Sequence, residues 1–241
     1  MIKVFIDTNV IKFSATKHLE IIPVNKPTRN WYGKITGYQV ATVGYVNPND
    51  NLRYGSEIRK EADLLPRIAT LAKNECIELY EDIEMMAESM GLPRMGSASG
   101  RLYGAPIKRA NPALIYSRTI IGPSYMGSPD ELALNFFKQI SDRRFKDIQK
   151  VTGAYQGPNK YNLNQLIDAF LIWSAEHNKC NYFLTLDFKL IKMIENDKKK
   201  IVCIKLVRPS ELLNILGIKD TNNTISRGRV IRALRSLLMR W

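Results

Sequence analysis

Apolar and polar positions change rhythm several times along this chain. "IKVFI" is an unbroken apolar-rich run and predicts a buried strand over residues 2 to 6. A polar group, Asp7-Thr8-Asn9, follows at once, and residues 9 to 20 take up helical spacing. From Pro23 to Tyr54 the pattern loosens. "GKITGYQVATVGYVNPND" alternates in places and ends in turn residues, which suggests a hairpin or a long loop. In "SEIRKEADLLPRIATLAKNE" the apolar positions Ile58, Ala62, Leu65, Ile68, Ala69 and Ala72 recur at helical spacing, and Pro66 kinks or splits that helix. "CIELY" is a strand candidate. "DIEMMAESMG" is a helix closed by Gly91.

Residues 91–127 break the regularity. They are rich in Gly, Pro and Ser, carry Arg94, Arg101, Lys108, Arg109 and Arg118, contain no acidic residue, and read as an insertion or long loop. A helix then starts at "SPDELALNFF": Ser128 caps it, Pro129 takes its first position, and Asp130 and Glu131 suit the positive helix end. The last third alternates helix and strand: "NLNQLIDAFLIWSAEHNK", "NYFLTLD", "FKLIKMIEND", "KIVCIKLV", "RPSELLNILG". Such alternation implies a mainly parallel sheet with helices on its faces. The reading is one domain over residues 1–217, with insertions at about 23–56 and 91–160, followed by a basic amphipathic helix over 218–241.

Composition adds one unusual fact. Hydrophobic content of 45% and charged content of 24% are ordinary for a globular chain, but the formal net charge is +13. An excess of that size points to a polyanionic partner, nucleic acid first. Tyr103, Tyr116 and Tyr125 interleave with the basic residues of 91–127, a mixture suited to stacking bases while cations track phosphates. Arg101, Lys108 and Arg109 are the candidate phosphate contacts; a solvated loop with its tyrosines packed on the body is the plainer reading. The start lacks the pattern of a signal peptide and no run is long enough for a membrane span, so a cytoplasmic protein without membrane association is expected. Cys76, Cys180 and Cys203 read as isolated buried thiols, and two histidines are too few for a His-based metal cluster.

The candidate chemistry lies in carboxylates at strand ends. In an open α/β sheet, ligands bind beyond the carboxyl ends of the strands. Asp7 and Asp187 both end strands. Asp168 lies in the apolar helix just before the strand that Asp187 ends, a costly place for a carboxylate without a partner or a cation. Three crowded carboxylates repel one another, and a divalent cation relieves this; all-oxygen ligands select Mg²⁺ or Mn²⁺. Each acid also has a plainer reading, Asp7 and Asp187 as helix caps and Asp168 as a salt-bridged helix residue.

"VFIDTNVI", "LIDAFLIWSAEHNKCNYFLTLDFKL" and "VRPSELLNIL" together resemble the PIN domain family of metal-dependent nucleases, which includes toxin ribonucleases of toxin–antitoxin pairs. The resemblance covers residues 1–20, roughly 75–90 and 163–217. It implies a three-layer α/β/α fold with a mainly parallel sheet, and an endoribonuclease that uses Mg²⁺ or Mn²⁺. It makes Asp7, Asp168 and Asp187 metal-coordinating acids and Asn9 and Thr185 supporting polar groups. A further acid is expected in the helix after the second strand. Glu81, Glu84 and Glu88 are on offer, and Glu84, about one turn in, is the choice. The implied partners are RNA, with DNA second, and an antitoxin-like protein; an oligomer is compatible. The extra segments set this chain apart from the short toxins. The alternative is a PIN-like protein that binds nucleic acid without cutting it. Phosphatase chemistry with an Asp nucleophile is disfavoured because Asn9 stands where the second Asp belongs.

Overall fold

The computed structural model describes residues 1–15, 17–29, 35–45, 55–85, 98–116, 129–157 and 160–218. The basic tail, and Glu88 with most of its helix, lie outside these. Five strands form one all-parallel sheet in the order β5-β4-β1-β6-β7. They are β1 (Ile2–Ile6), β4 (Ile77–Glu81), β5 (Ile107–Arg109), β6 (Tyr182–Leu184) and β7 (Lys205–Val207). The remaining two, β2 (Lys17–Arg29) and β3 (Ile35–Tyr45), pair antiparallel as a separate hairpin. Eight α-helices lie wholly within the described residues: α1 (Thr8–Ser14), α2 (Ser56–Ala62), α3 (Leu65–Lys73), α4 (Pro129–Gln139), α5 (Arg143–Val151), α6 (Leu163–His177), α7 (Phe188–Glu195) and α8 (Pro209–Ile215).

The sheet is central because its strands are apolar. Val4, Phe5 and Ile6 of β1 are fully buried, and Phe5 stacks on Phe183 of the neighbouring β6 at 5.7 Å between ring centroids. Two helix groups pack within themselves: α1, α2, α3 and α8 in one, α4, α5 and α6 in the other. Glu61 ties the first group together by accepting hydrogen bonds from the Ser210 amide and hydroxyl at the start of α8. An aromatic cluster of Phe137, Phe145, Phe170 and Trp173 holds the second. Parallel strands flanked by two helix groups are compatible with a three-layer α/β/α arrangement.

Several details depart from the expected layout. The first helix stops at Ser14, and the chain enters β2 by Lys17 rather than staying helical to residue 20. The helix predicted around Pro66 is split, with Asp63 and Leu64 between α2 and α3. The helix beginning near residue 129 also divides, and Asp142 caps the second half by accepting from the Phe145 amide. Residues 107–109, read as part of an insertion, are an edge strand of the main sheet. Cys203 is exposed, against the expectation of three buried thiols; Cys76 and Cys180 are buried, and burial pushes the Cys180 thiol up to about 11. No helix among the described residues is long and apolar enough to cross a membrane.

Candidate functional site

The strand order reverses direction at β1. From there the chain builds β4 and then β5 on one side, and β6 and then β7 on the other. Ligand crevices in such sheets open at the reversal, beyond the carboxyl ends of the two strands that flank it, here β1 and β6. The pairing continues past the strand ends: the Asp7 amide donates to the Leu184 carbonyl, and the Thr185 amide to that of Val207. One residue beyond Ile6↔Leu184, Asp7 lies level with Thr185. Two beyond Phe5↔Tyr80, it lies level with Asp82. One beyond Leu184↔Val207, Thr185 lies level with Arg208. The row across the sheet edge is therefore Asp82, Asp7, Thr185, Arg208.

Asp7 is 5% exposed. Its Oδ2 accepts hydrogen bonds from Asn9 Nδ2 and Thr185 Oγ1, both at 2.6 Å. Thr185 Oγ1 in turn accepts from the Asp187 amide at 2.9 Å and from Asn9 Nδ2 at 3.0 Å. The single hydroxyl proton goes to Asp7 and both lone pairs are used, so the hydroxyl is saturated. Asn9 Oδ1 accepts from the Leu186 amide at 3.0 Å, closing the network across β1 and β6. Asp7 stands at the cap position of α1 yet makes no side-chain cap bond, so capping does not explain it. Asp187 is a cap: its Oδ1 accepts from the Lys189 and Leu190 amides, both at 2.9 Å.

The structure thus joins the side chains of Asp7, Asn9 and Thr185, and ties in Asp187 through its backbone amide while its carboxylate caps α7. Asp168 sits half-buried in the first half of α6. Among the described residues, no group of three or more His, Cys, Asp or Glu is arranged to hold a metal ion.

Glu84 is buried beside Asp82. Tyr116 donates its hydroxyl to Glu84 Oε1 at 2.5 Å, and the Glu84 amide donates to Asp82 Oδ1 at 3.0 Å. Ser174 of α6 donates to the other Asp82 oxygen. Burial pushes the Asp82 carboxyl above the usual range, and the neighbouring Glu84 charge adds to this against the hydrogen bonds from Glu84 and Ser174. Glu81 instead forms a two-pronged ion pair with Arg101.

The candidate phosphate contacts also have partners. Arg101 is held by Glu81, and Lys108 pairs with Glu78. The Lys108 hydrogen bond draws the Glu78 carboxyl down, and the same bond raises Lys108. Arg109 is exposed on β5. Sequence reasoning missed two residues of the edge row. Asp82 follows the predicted strand "CIELY" after one intervening residue, Glu81, a signal close to the one that singled out Asp7 and Asp187. Arg208 directly follows "KIVCIKLV". Its guanidinium lies 4.3 Å from the Phe188 ring centroid, and it makes no ion pair among the described residues. Comparison with protein-family models, curated proteins and solved structures finds no match to this chain.

Proposed function

We propose that the chain is a Mg²⁺- or Mn²⁺-dependent endoribonuclease of PIN-like architecture. The observation that carries this reading is the network of Asp7, Asn9, Thr185 and Asp187 at the point where the strand order reverses. A buried carboxylate held by two side-chain donors is fixed in one orientation, as a ligand to a cation must be. Asp7 and Asp187 would hold the ion, with Asp168 joining from α6. When bound, such an ion supplies hydroxide at neutral pH and stabilises an in-line phosphoryl displacement. Asn9 and Thr185 fix the Asp7 carboxylate. Glu84, kept in place by Tyr116 and the Asp82 turn, would orient the attacking water. Arg208, braced on Phe188, would meet a phosphate oxygen at the same edge. A net charge of +13 suits an RNA substrate, with DNA as the second choice. A toxin-like role with an antitoxin-like partner is proposed only together with this activity.

One observation favours a second reading, binding without cleavage: among the described residues no three acids are arranged as an ion site. Incubating labelled RNA and single-stranded DNA with the protein in Mn²⁺, Mg²⁺ or EDTA decides. Cleavage in metal that stops in EDTA, and stops in Asp7→Asn, supports the nuclease. Binding with no cleavage in any metal supports the second reading.

A further inference from the structure

An open cavity of about 560 Å³ lies beside Glu84. Tyr116 and Phe136 make up the aromatic part of its lining (its wall), Leu114 and Ile140 add apolar surface, and Gln139, Ser141 and Asp142 are its polar lining (its rim). The volume is within the range of small-molecule sites, and so is the mixture of apolar wall and few polar groups.

The wall is braced. Tyr116 and Phe136 are 4.6 Å apart between ring centroids, and Tyr116 also meets Phe170 edge-on at 6.1 Å. The Tyr116 hydroxyl is tied to Glu84, so one side chain joins the cavity to the buried acids next to Asp7. The rim is positioned by a helix start. Asp142 caps α5, with Oδ1 accepting from the Phe145 amide at 2.9 Å, which fixes the carboxylate while leaving lone pairs on its edge. Gln139 ends α4 and offers both a donor and an acceptor.

We propose that this cavity receives one unstacked guanine base of a bound single strand. The proposal rests on the nucleic-acid reading above and adds a base preference to it. An aromatic wall takes the face of any base, as in other single-strand sites. The carboxylate chooses among them. Guanine alone presents two adjacent donors, N1–H and the N2 amino group, on its Watson–Crick edge, and a carboxylate accepts both. Adenine and cytosine each offer one amino group there beside a bare acceptor that a carboxylate repels. Uracil offers a single imide N–H between two carbonyl oxygens.

The test uses the full chain in EDTA, so that it does not depend on cleavage. Calorimetric titration with GMP, AMP, CMP and UMP is compared for the wild type and Asp142→Asn. Asparagine caps a helix about as well as aspartate, so this variant keeps the fold, which its melting temperature verifies. The expected result is GMP binding about tenfold tighter than the other three, a preference that Asp142→Asn removes. Phe136→Leu, which keeps an apolar wall without the ring, is expected to weaken all four. Equal binding of the four nucleotides, no binding of GMP, or a preference that survives Asp142→Asn would overturn the proposal. If the protein fails to cleave RNA in Mn²⁺ yet prefers GMP, the nuclease reading falls and the base pocket stands.

Discussion

Replacing Asp7 by asparagine and by alanine separates the chemical role of this carboxylate from its structural one. In the wild type, Oδ2 accepts from Asn9 Nδ2 and Thr185 Oγ1, both buried or half-buried donors. An asparagine can place its carbonyl oxygen where Oδ2 was and keep both bonds. It removes a buried charge at the same time, so its stability should match or slightly exceed that of the wild type. Alanine leaves both donors without this acceptor. At about 1–3 kcal/mol for each unsatisfied buried group, and with the two donors still 3.0 Å apart and able to share one bond, a loss of about 3 kcal/mol is expected. For a chain of this size that lowers the melting temperature by roughly 6–12 °C. Activity should divide differently. If the proposed ion is held there, both variants should lose RNA cleavage by about 10²-fold or more, because each removes a charge that would bind it. Metal-free RNA affinity should stay level or rise in both. Melting curves, labelled-RNA cleavage in Mn²⁺ and RNA binding in EDTA read all three quantities. Near wild-type cleavage by Asp7→Asn would refute the metal role, and an unchanged melting temperature in Asp7→Ala would refute the network as a stabilising unit.

Asp82→Asn tests the buried acid beside Asp7. Its raised pKa means that ionised Asp82 costs stability, a cost absent at low pH and growing as pH rises from the unfolded carboxyl value near 3.8 through the raised folded value. The variant should therefore melt above the wild type at pH 8 and level with it at pH 4; a constant difference would contradict this. Arg208→Gln should weaken RNA binding and flatten its salt dependence while leaving the melting temperature nearly unchanged; an unaltered slope of log affinity against log salt would remove Arg208 from the phosphate path. Arg101→Ala should lower stability by about 3 kcal/mol, because it strands the poorly exposed Glu81 carboxylate, whereas Lys108→Ala breaks an exposed pair and should change stability little. Equal melting temperatures for these two variants would show that the Glu81 pair is not structural.

The parallel sheet was legible because its inner strands are fully apolar and alternate with amphipathic helices. Asp7 and Asp187 were legible for a related reason, each closing an apolar run, whereas Asn9 and Thr185 were named through the family resemblance alone. β5 was not, since three residues on a sheet edge, with Lys108 and Arg109 facing outward, carry no apolar signature. The length of β2 was hidden by Pro23 and Pro27, which a long strand tolerates here because it is an edge strand of a two-stranded ribbon with its register shift between Val24 and Pro27. The break between α4 and α5 was missed because Asp142 looks like any polar helix residue until its side chain is seen capping Phe145. Asp82 is less legible because the charged Glu81 separates it from the apolar run of its strand. The ion pairs of Arg101 and Lys108 are tertiary facts, made with residues 20 and 30 positions away, and no local pattern encodes them.

The network at the sheet edge has a consequence for synthesis. Asp7 is held by a hydroxyl that belongs to Thr185, made 178 positions later. A chain that stops short of residue 185, whether through a nonsense codon, a stalled ribosome or early proteolysis, carries the aspartate without its clamp. β1 can pair with β4 once residues 77–81 are made, but its other edge waits for β6, which comes only in the last third of the described sequence. Assembly of the site is thereby coupled to synthesis as far as residue 185, so translation products truncated before it lack the clamped carboxylate on which the proposed cleavage depends.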